Sequence, residues 1–207
     1  MTITKNARLL PALIRDTRIT IQLDDPKSLV WGFNNLTLRE GVEAATVQWG
    51  DGTSESVAEA TQATHAYPAP GTYEVVISDA CTAIQLAAVS KTSPFYAVYP
   101  LAIRSVKTNA SALTKMLLNS LANAANMEVC DLKDAPIDSI STFAFLDCAS
   151  LRRLEFPKVT SLSAKSFTGC SALTEIHFAK ANEAIISALP GYGDAFGAEN
   201  AKISFDL

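Results

Sequence analysis

The apolar positions between residues 142 and 178 recur at a fixed interval of 22 residues. The matched pairs are Phe145 and Phe167, Cys148 and Cys170, Leu151 and Leu173, Leu154 and Ile176, and Phe156 and Phe178. A period in the low twenties is typical of stacked repeats that each carry a short strand. Residues one period apart then become neighbours on parallel strands about 4.8 Å apart. The pattern predicts a short solenoid with a parallel sheet in the second half of the chain.

The repeat can be followed in both directions from this segment. Ala124, Met127, Cys130 and Leu132 lie 24 residues before Cys148, Leu151, Leu154 and Phe156, which adds one variant repeat. Residues 201–205 (AKISF) predict one further strand. The glycine-rich segment 191–197 (GYGDAFG) lacks the Lys-Ser/Thr of a phosphate loop, and it predicts a turn-rich cap with Phe196 packed into the last coil.

The segment that precedes these repeats has apolar residues near one helical face. Leu113, Met116, Leu117, Leu121 and Ala124 follow helical spacing, and Ser111 is a suitable N-cap. Residues 111–126 therefore predict one helix, with two short turns as the alternative, that covers the open end of the first coil. Pro94 and Pro100 bracket an apolar, aromatic segment that predicts a packed junction. These features place two domains at residues 1–93 and 94–207.

Short segments of alternating apolar and polar residues fill the first half. They are residues 18–23, 29–33, 36–38, 46–49, 72–78 and 82–89. Turn residues separate them, and Gly50-Asp51-Gly52 contains an Asp-Gly pair suited to a tight hairpin. Short strands at this spacing predict an antiparallel β-sandwich.

Two segments of the first half carry a family resemblance. Residues 45–56 (ATVQWGDGTSES) and 64–78 (THAYPAPGTYEVVIS) resemble the paired signatures of the polycystic kidney disease (PKD) domain, an immunoglobulin-like sandwich. The matching residues are Trp49, Asp51, Gly52, His65, Tyr67, Gly71 and Tyr73. The chain departs from the family pattern because Trp49 directly precedes Gly50, where that pattern has two intervening residues. The resemblance implies a spacer or a module that contacts carbohydrate or protein.

The second half resembles another family. The segments FAFLDCASLRRLEFP and SFTGCSALTEIHF are similar to the BspA-like class of leucine-rich repeats, in which phenylalanine, cysteine and leucine recur at about this period. The two resemblances together imply an extracellular setting, on a bacterial surface or on a phage tail.

Composition excludes several classes of protein. The chain has 207 residues, 48% of them hydrophobic, and a net charge of −4. A sizeable core is therefore expected, and nucleic acid is not an expected partner. With two histidines and no C-x-x-C spacing among the four cysteines, we expect no metal or other cofactor. No segment reaches the length of a membrane span, and the apolar run at residues 9–14 is too short for a signal peptide.

Candidate binding residues lie on the outward side of the predicted parallel strands. Alternation along a strand points Leu154 and Phe156 inward and forms two outward columns. One column contains Val129, Arg153 and Glu175, and the other contains Asp131, Glu155 and His177. Arg153 beside Glu175, and Glu155 beside a protonated His177, are expected ion pairs worth about 0–1 kcal/mol each. Asp131, Arg153, Glu155, Glu175 and His177 are the candidate contact surface, with solvated neighbours as the alternative.

Two other residue pairs allow a chemical or a structural interpretation. Cys148 beside Cys170 could form a disulfide or a ladder of buried thiols. Asp51 with His65 could be a catalytic or metal pair, or a hydrogen-bonded set that fixes the fold. Since no catalytic constellation is evident, the sequence predicts a non-enzymatic recognition or adhesion protein that binds protein or glycan. A structural spacer without a ligand is the alternative.

Overall fold

The chain is mostly β in the computed structural model, which describes residues 15–88 and 92–207. The apolar run at residues 9–14 and the last residue of the strand predicted over 82–89 lie outside the described residues. The antiparallel strands of the first half are β1 (Asp16–Leu23), β2 (Val30–Phe33), β3 (Asn35–Leu38), β4 (Ala44–Gln48), β5 (Ser54–Ala58), β6 (Ala63–Ala66), β7 (Gly71–Ser78) and β8 (Cys81–Gln85).

The second half alternates short strands with turns. Its elements are α1 (Pro94–Ala97), β9 (Ile103–Thr108), β10 (Lys115–Met116), β11 (Val129–Asp131), β12 (Ser139–Ile140), β13 (Arg153–Phe156), β14 (Ser161–Leu162), β15 (Glu175–Phe178), α2 (Glu183–Ser187) and β16 (Lys202–Phe205). Three 3-10 turns accompany them at Pro100–Ala102, Lys180–Asn182 and Tyr192–Gly197.

The strands form two larger sheets that each run through both halves of the chain. The first has the order β11-β9-β1-β7-β4-β5, and the second has the order β14-β12-β10-β8-β3. Strand β9 is antiparallel to β1 on one side and parallel to β11 on the other. Strand β8 is likewise antiparallel to β3 and parallel to β10. Both sheets therefore change from antiparallel to parallel pairing at a single strand.

One hydrophobic core lies between these sheets. Ile19 and Val106 of the first sheet and Ile84 and Met116 of the second line the same apolar void of about 20 Å³. The core continues from the two tryptophans of the first half to the phenylalanines of the repeats. Strand β8 precedes the predicted boundary after residue 93, yet it pairs with β10 beyond it. The boundary itself stays a prediction, but the hydrogen bonding and the core cross it.

The predicted 22-residue register is confirmed. Strand β13 pairs in parallel with β15, with Arg153 opposite Glu175 and Phe156 opposite Phe178. The expected strand at residues 201–205 is also confirmed, because β16 pairs in parallel with β15. Phe196 is fully buried in the cap, as expected. The rings of Phe156 and Phe178 lie 5.8 Å apart between centroids, so successive repeats pack ring against ring.

The helix predicted over residues 111–126 is wrong. This segment contains β10 followed by turns, and Met116 pairs with Ile140 of β12. Asn119 and Asn123 have left-handed φ values of 57° and 62°, which a helix does not tolerate. The amide of Leu121 donates to the carbonyl of Ala144 in the next repeat at 2.7 Å. The segment is itself a repeat. The spacing of three between Leu121, Ala124 and Met127 occurs both in a helix and in this repeat, so the spacing alone did not distinguish them.

The first half contains the six predicted strands and two more. Strands β5 and β6 were not predicted because their residues are mostly polar and exposed. The Gly50-Asp51-Gly52 turn connects β4 to β5 as a hairpin, as expected. The junction segment is packed, since Phe95 and Pro100 are buried. The indole N–H of Trp31 donates to the carbonyl of Tyr99 at 2.9 Å and fastens the junction to β2.

Candidate functional site

The outward side chains of β9, β11, β13, β15 and β16 form one polar surface, which we call the strand face. It carries the predicted residues Asp131, Arg153, Glu155, Glu175 and His177. In register with them lie Lys107 of β9 and Lys202 and Ser204 of β16, which the prediction did not include. Inward residues such as Leu154 and Ile176 are buried, and burial alternates along β13 as expected. It does not alternate along β15, because His177 is buried as well.

Arg153 lies at the centre of the ion pairs on the strand face. Its guanidinium donates to Glu175 Oε2 at 2.5 Å and to Glu155 Oε1 at 2.9 Å. The hydrogen bonds to Glu155 and Glu175 raise the pKa of Arg153. Those that Glu175 accepts from His177 and Arg153 lower the pKa of Glu175. The predicted pairing of Arg153 with Glu175 is confirmed, and Arg153 also binds the carboxylate two residues along its own strand.

His177 is placed differently from the prediction. It is opposite Glu155 in the register, but its ring faces other groups. Nε2 lies 3.2 Å from Glu175 Oε2, and Nδ1 lies 2.7 Å from Asp206 Oδ1 and 2.8 Å from Ser204 Oγ. Residues 204–206 cover the imidazole and leave His177 only 8% exposed. The predicted Glu155–His177 ion pair is therefore wrong, because Glu175 on the same strand and Asp206 after β16 supply nearer carboxylates.

Asp131 is separated from the other predicted residues. Strand β11 belongs to the first large sheet, whereas β13 begins a three-stranded sheet with β15 and β16. A shallow groove of about 260 Å³ lies along this break, and Asp131, Arg153 and Glu155 line it together with Val129 and Lys133. The nearest cation to Asp131 is Lys133, with Nζ 3.7 Å from Oδ2. Three of the five predicted residues, Asp131, Arg153 and Glu155, thus line one groove from two sheets.

The strand face continues onto the antiparallel part of the first sheet. Arg18 of β1 is opposite Lys107 of β9, which is opposite Asp131 of β11. Arg18 donates to Asp16 and to Glu74, each at 2.8 Å. The hydrogen bond from Arg18 to Asp16 is the main cause of the raised pKa of Arg18. Sequence reasoning missed this extension because nothing in the repeat indicates which strand of the first half lies beside it.

Asp51 and His65 form a compact cluster between the β4–β5 turn and β6. Asp51 Oδ2 lies 2.7 Å from His65 Nε2, and Asp51 Oδ1 accepts from the amide and hydroxyl of Thr53. The bonds from Thr53 and then from His65 lower the pKa of Asp51 to about 2. The ring of His65 stacks on Trp49 with centroids 5.1 Å apart, and the hydroxyl of Tyr67 donates to the carbonyl of Trp49. These partners tie the hairpin to β6, which agrees with the interpretation of Asp51 and His65 as a set that fixes the fold.

The repeat cysteines are buried free thiols in adjacent repeats. Cys148 Sγ donates to the carbonyl of Leu121 at 3.2 Å, and Cys170 Sγ donates to the carbonyl of Phe145 at 3.0 Å. Burial raises the pKa of Cys130 and of Cys148, and it raises the pKa of Cys81 to about 12. The structure thus has the thiol ladder rather than the disulfide. The thiols of Cys148 and Cys170 each donate to a carbonyl of the preceding repeat.

The described residues contain neither a metal-binding cluster nor a membrane-spanning helix. Across residues 15–88 and 92–207, no group of three or more His, Cys, Asp or Glu side chains could hold a metal ion. In the same part of the chain, no helix is long and apolar enough to cross a membrane.

The repeats identify the family. The model of the BspA type leucine-rich repeat region matches residues 74–189 with six copies. Because this match covers more than half of the chain, the chain belongs to the BspA-type leucine-rich repeat family. The match begins within β7, before the predicted domain boundary, which agrees with the parallel pairing that begins at β8 and β9. No curated protein and no solved structure matches this chain significantly.

Proposed function

We propose that this chain is a non-enzymatic recognition protein that binds its ligand through the strand face. The observation that carries the proposal is the row of charged outward side chains on successive strands, which lines an open groove between Asp131 and Arg153. Leucine-rich repeats of this type are commonly surface protein-interaction modules. Solenoids present such a face as an extended binding surface.

A protein ligand suits this face better than a glycan. Its outward columns carry acidic and basic side chains, while the repeat phenylalanines, including Phe156 and Phe178, are buried. Mixed charge selects a partner with a complementary pattern, chiefly through specificity and association rate. We expect a charged protein surface as the partner, neither nucleic acid nor membrane, and a location on a bacterial surface or a virion.

We further propose that the first half is an immunoglobulin-like sandwich of the PKD type and that the second half is a solenoid. Support for the sandwich comes from the antiparallel pairing of β1, β4, β5 and β7, and from the contacts among Trp49, His65 and Tyr67 at the positions of the PKD signature. Support for the solenoid comes from the parallel ladders and the family repeats. The first half would then act as a spacer for the repeats.

A binding screen with matched variants tests the proposed function. The full chain is applied to arrays of cell-surface proteins, virion proteins and glycans, together with Arg153→Ala/Glu155→Ala on the strand face. Lys115→Ala/Asp138→Ala is the control, because it removes one base and one acid near the parallel strands of the other sheet. We expect saturable protein binding that the strand-face variant weakens at least tenfold and the control variant retains.

Two results would contradict the proposal. Binding that both variants retain would place the ligand elsewhere on the molecule. Failure to bind any arrayed protein or glycan, combined with stable assembly onto other surface or virion proteins through residues outside the strand face, would identify a structural spacer.

A further inference from the structure

A single imidazole links the last two strands of the strand face. Both ring nitrogens of His177 face carboxylates: Nε2 lies 3.2 Å from Glu175 on β15, and Nδ1 lies 2.7 Å from Asp206, which follows β16. Ser204 of β16 also approaches Nδ1, at 2.8 Å. The side chain is 10% exposed, whereas the two carboxylates are about half exposed. The ring is therefore enclosed by groups whose hydrogen bonds to it depend on its protonation state.

The number of N–H donors differs between the two forms of the ring. A neutral imidazole has one N–H group and one lone pair, so it donates to only one of the two carboxylates. The other carboxylate then faces a lone pair. An imidazolium has two N–H groups and donates to Glu175 and Asp206 together. Hydrogen bonds between charged partners are also about twice as strong as neutral ones.

Ser204 can adapt to either form. When the ring is neutral with its proton on Nε2, the hydroxyl of Ser204 donates to Nδ1 and Asp206 loses the imidazole as a partner. When Nδ1 is protonated, it donates to Asp206, and the Ser204 hydroxyl can donate to the same carboxylate, since their oxygens lie 3.3 Å apart. A neutral ring therefore keeps an uncharged contact with either Asp206 or Ser204, whereas only the imidazolium makes a charge-assisted hydrogen bond to Asp206 while it also donates to Glu175.

We propose that His177 is a pH-sensitive clamp that holds β16 against β15 when its imidazole is protonated and loosens β16 when it is neutral. The charged groups around it are Glu175 on its own strand, Glu155 and Arg153 on β13, and Asp206 beyond β16. Lys202 is opposite Glu175 in the register. The clamp does not depend on the identity of any ligand.

The direction of the pH dependence follows from these charges. The clamp is strengthened as pH falls and His177 takes up a proton, and it is lost as pH rises and the proton leaves. The hydrogen bonds from His177 lower the pKa of Asp206 and, with Arg153, that of Glu175. Both carboxylates therefore stay charged in mildly acidic solution, and they lose the contact only when strong acid protonates them.

Hydrogen exchange of the full chain tests this clamp. Exchange is measured by mass spectrometry at about pH 5 and about pH 8, on either side of the usual histidine range, and is corrected for the intrinsic rate. We expect peptides that contain β16 to be about three- to fivefold more protected at the lower pH, as befits a partly exposed charge contact. Peptides from β4 and β5 should show no such change.

Variants separate the clamp from a general effect of pH. His177→Gln and Asp206→Asn should each remove the pH dependence of the hydrogen-exchange protection of β16. Glu199→Gln is the control, because this exposed carboxylate is in the same tail but outside the contacts of His177. Equal protection of β16 at both pH values in the wild type, or an unchanged pH response in Asp206→Asn, would overturn the proposal.

Discussion

At the residue scale, Asp51 shows how one turn carboxylate fastens a hairpin to its neighbour. It accepts hydrogen bonds from Thr53 and from His65, and its side chain is 8% exposed. The alternation of apolar and polar residues does not reveal this partnership, because Asp51 lies in the turn between β4 and β5 and His65 lies on β6. The PKD signature indicated it by placing Asp51 and His65 at matching positions of two segments.

Replacing Asp51 should therefore cost stability in a pH-dependent way. We expect Asp51→Asn to lower the free energy of unfolding by about 1–3 kcal/mol near neutral pH, because it removes hydrogen bonds to a charged acceptor. The folded-state pKa of Asp51 is lowered to about 2, so its contribution is present above the unfolded-state pKa and is lost as pH falls through about 2. Urea unfolding followed by tryptophan fluorescence, at neutral pH and near pH 2, measures the difference.

Asp25→Asn is the matched control for this prediction. Asp25 accepts one hydrogen bond from the amide of Lys27 at 2.9 Å, as Asp51 does from the amide of Thr53, but it lies in an exposed turn. We expect a change of less than about 0.5 kcal/mol for Asp25→Asn. A loss of equal size in the two variants, or a loss in Asp51→Asn that does not shrink in acid, would contradict this role of Asp51.

The buried thiols answer a question that spacing alone left open. The 22-residue period places Cys148 beside Cys170, but it contains no information about the direction of each S–H group. In the structure, each thiol donates to a carbonyl of the preceding repeat. A small apolar side chain with a weak donor suits such a position, where alanine would supply no donor.

At the element scale, each repeat turn depends on a residue with left-handed backbone. Asn123, Asp147 and Gly169 occupy equivalent positions in successive repeats, with φ values of 62°, 56° and 77°. Asparagine, aspartate and glycine tolerate this conformation better than other residues. The amide of Asn123 donates to the carbonyl of Leu146 at 2.7 Å, and that of Asp147 donates to Thr168 at 2.9 Å, so the turns also hydrogen-bond from repeat to repeat.

Gly169→Ala should reduce stability more than Gly52→Ala, because Gly169 is in a crowded turn and Gly52 is not. A Cβ at residue 169 would overlap Asp147 Oδ1 and lie 3.2 Å from Asp147 Cα, so rotating the carboxylate alone does not relieve the contact. We expect a loss of about 2–3 kcal/mol in urea unfolding, against about 1 kcal/mol for Gly52→Ala. Gly52 has φ of 94° with nothing within 4 Å of its Cβ position, so it isolates the backbone cost. Equal losses would show that the turns are not in close contact.

The sequence specified the repeat elements better than the segment before them. Large apolar residues at a fixed interval can satisfy only one register, so the pairing of β13 with β15 was predictable to the residue. Residues 111–126 were misassigned because their apolar spacing fits a helix and a repeat equally. The decisive signal was Asn119 and Asn123, whose preference for left-handed backbone argues for turns.

The outward columns of the strand face were predictable from the sequence, but the contacts among their side chains were not. Alternation along a strand correctly placed Arg153 and Glu175 outward. It did not show that residues 204–206 fold over His177, because the path of a terminal segment depends on packing rather than on period. The groove at Asp131 was also not predictable, since the sequence does not indicate that the hydrogen-bonded sheet is interrupted between β11 and β13.

At the scale of the whole molecule, the two halves share their sheets. Strands β8 and β9 each pair with the first half on one side and with the repeats on the other. Separating the halves would expose strand edges and open the common core. Both sequence resemblances describe modules that are complete by themselves, so they gave no indication that the two sheets would continue across the junction.

We therefore expect the whole described chain to unfold as one cooperative unit. Trp31 and Trp49 are the two tryptophans and both report on the first half. Once Cys81 of β8 is replaced by alanine, the buried thiols of Cys130, Cys148 and Cys170 report on the repeats. In urea, the loss of native tryptophan fluorescence and the appearance of thiols reactive towards a disulfide reagent should share one midpoint. Leu173 is fully buried in the repeats, so Leu173→Ala should lower the free energy of unfolding by about 2–5 kcal/mol. Both urea midpoints should then fall together. Two separate midpoints, or a tryptophan transition that Leu173→Ala leaves unchanged, would mean that the continuous sheets do not couple the two halves, and the strand face would then be anchored to a support that can unfold without it.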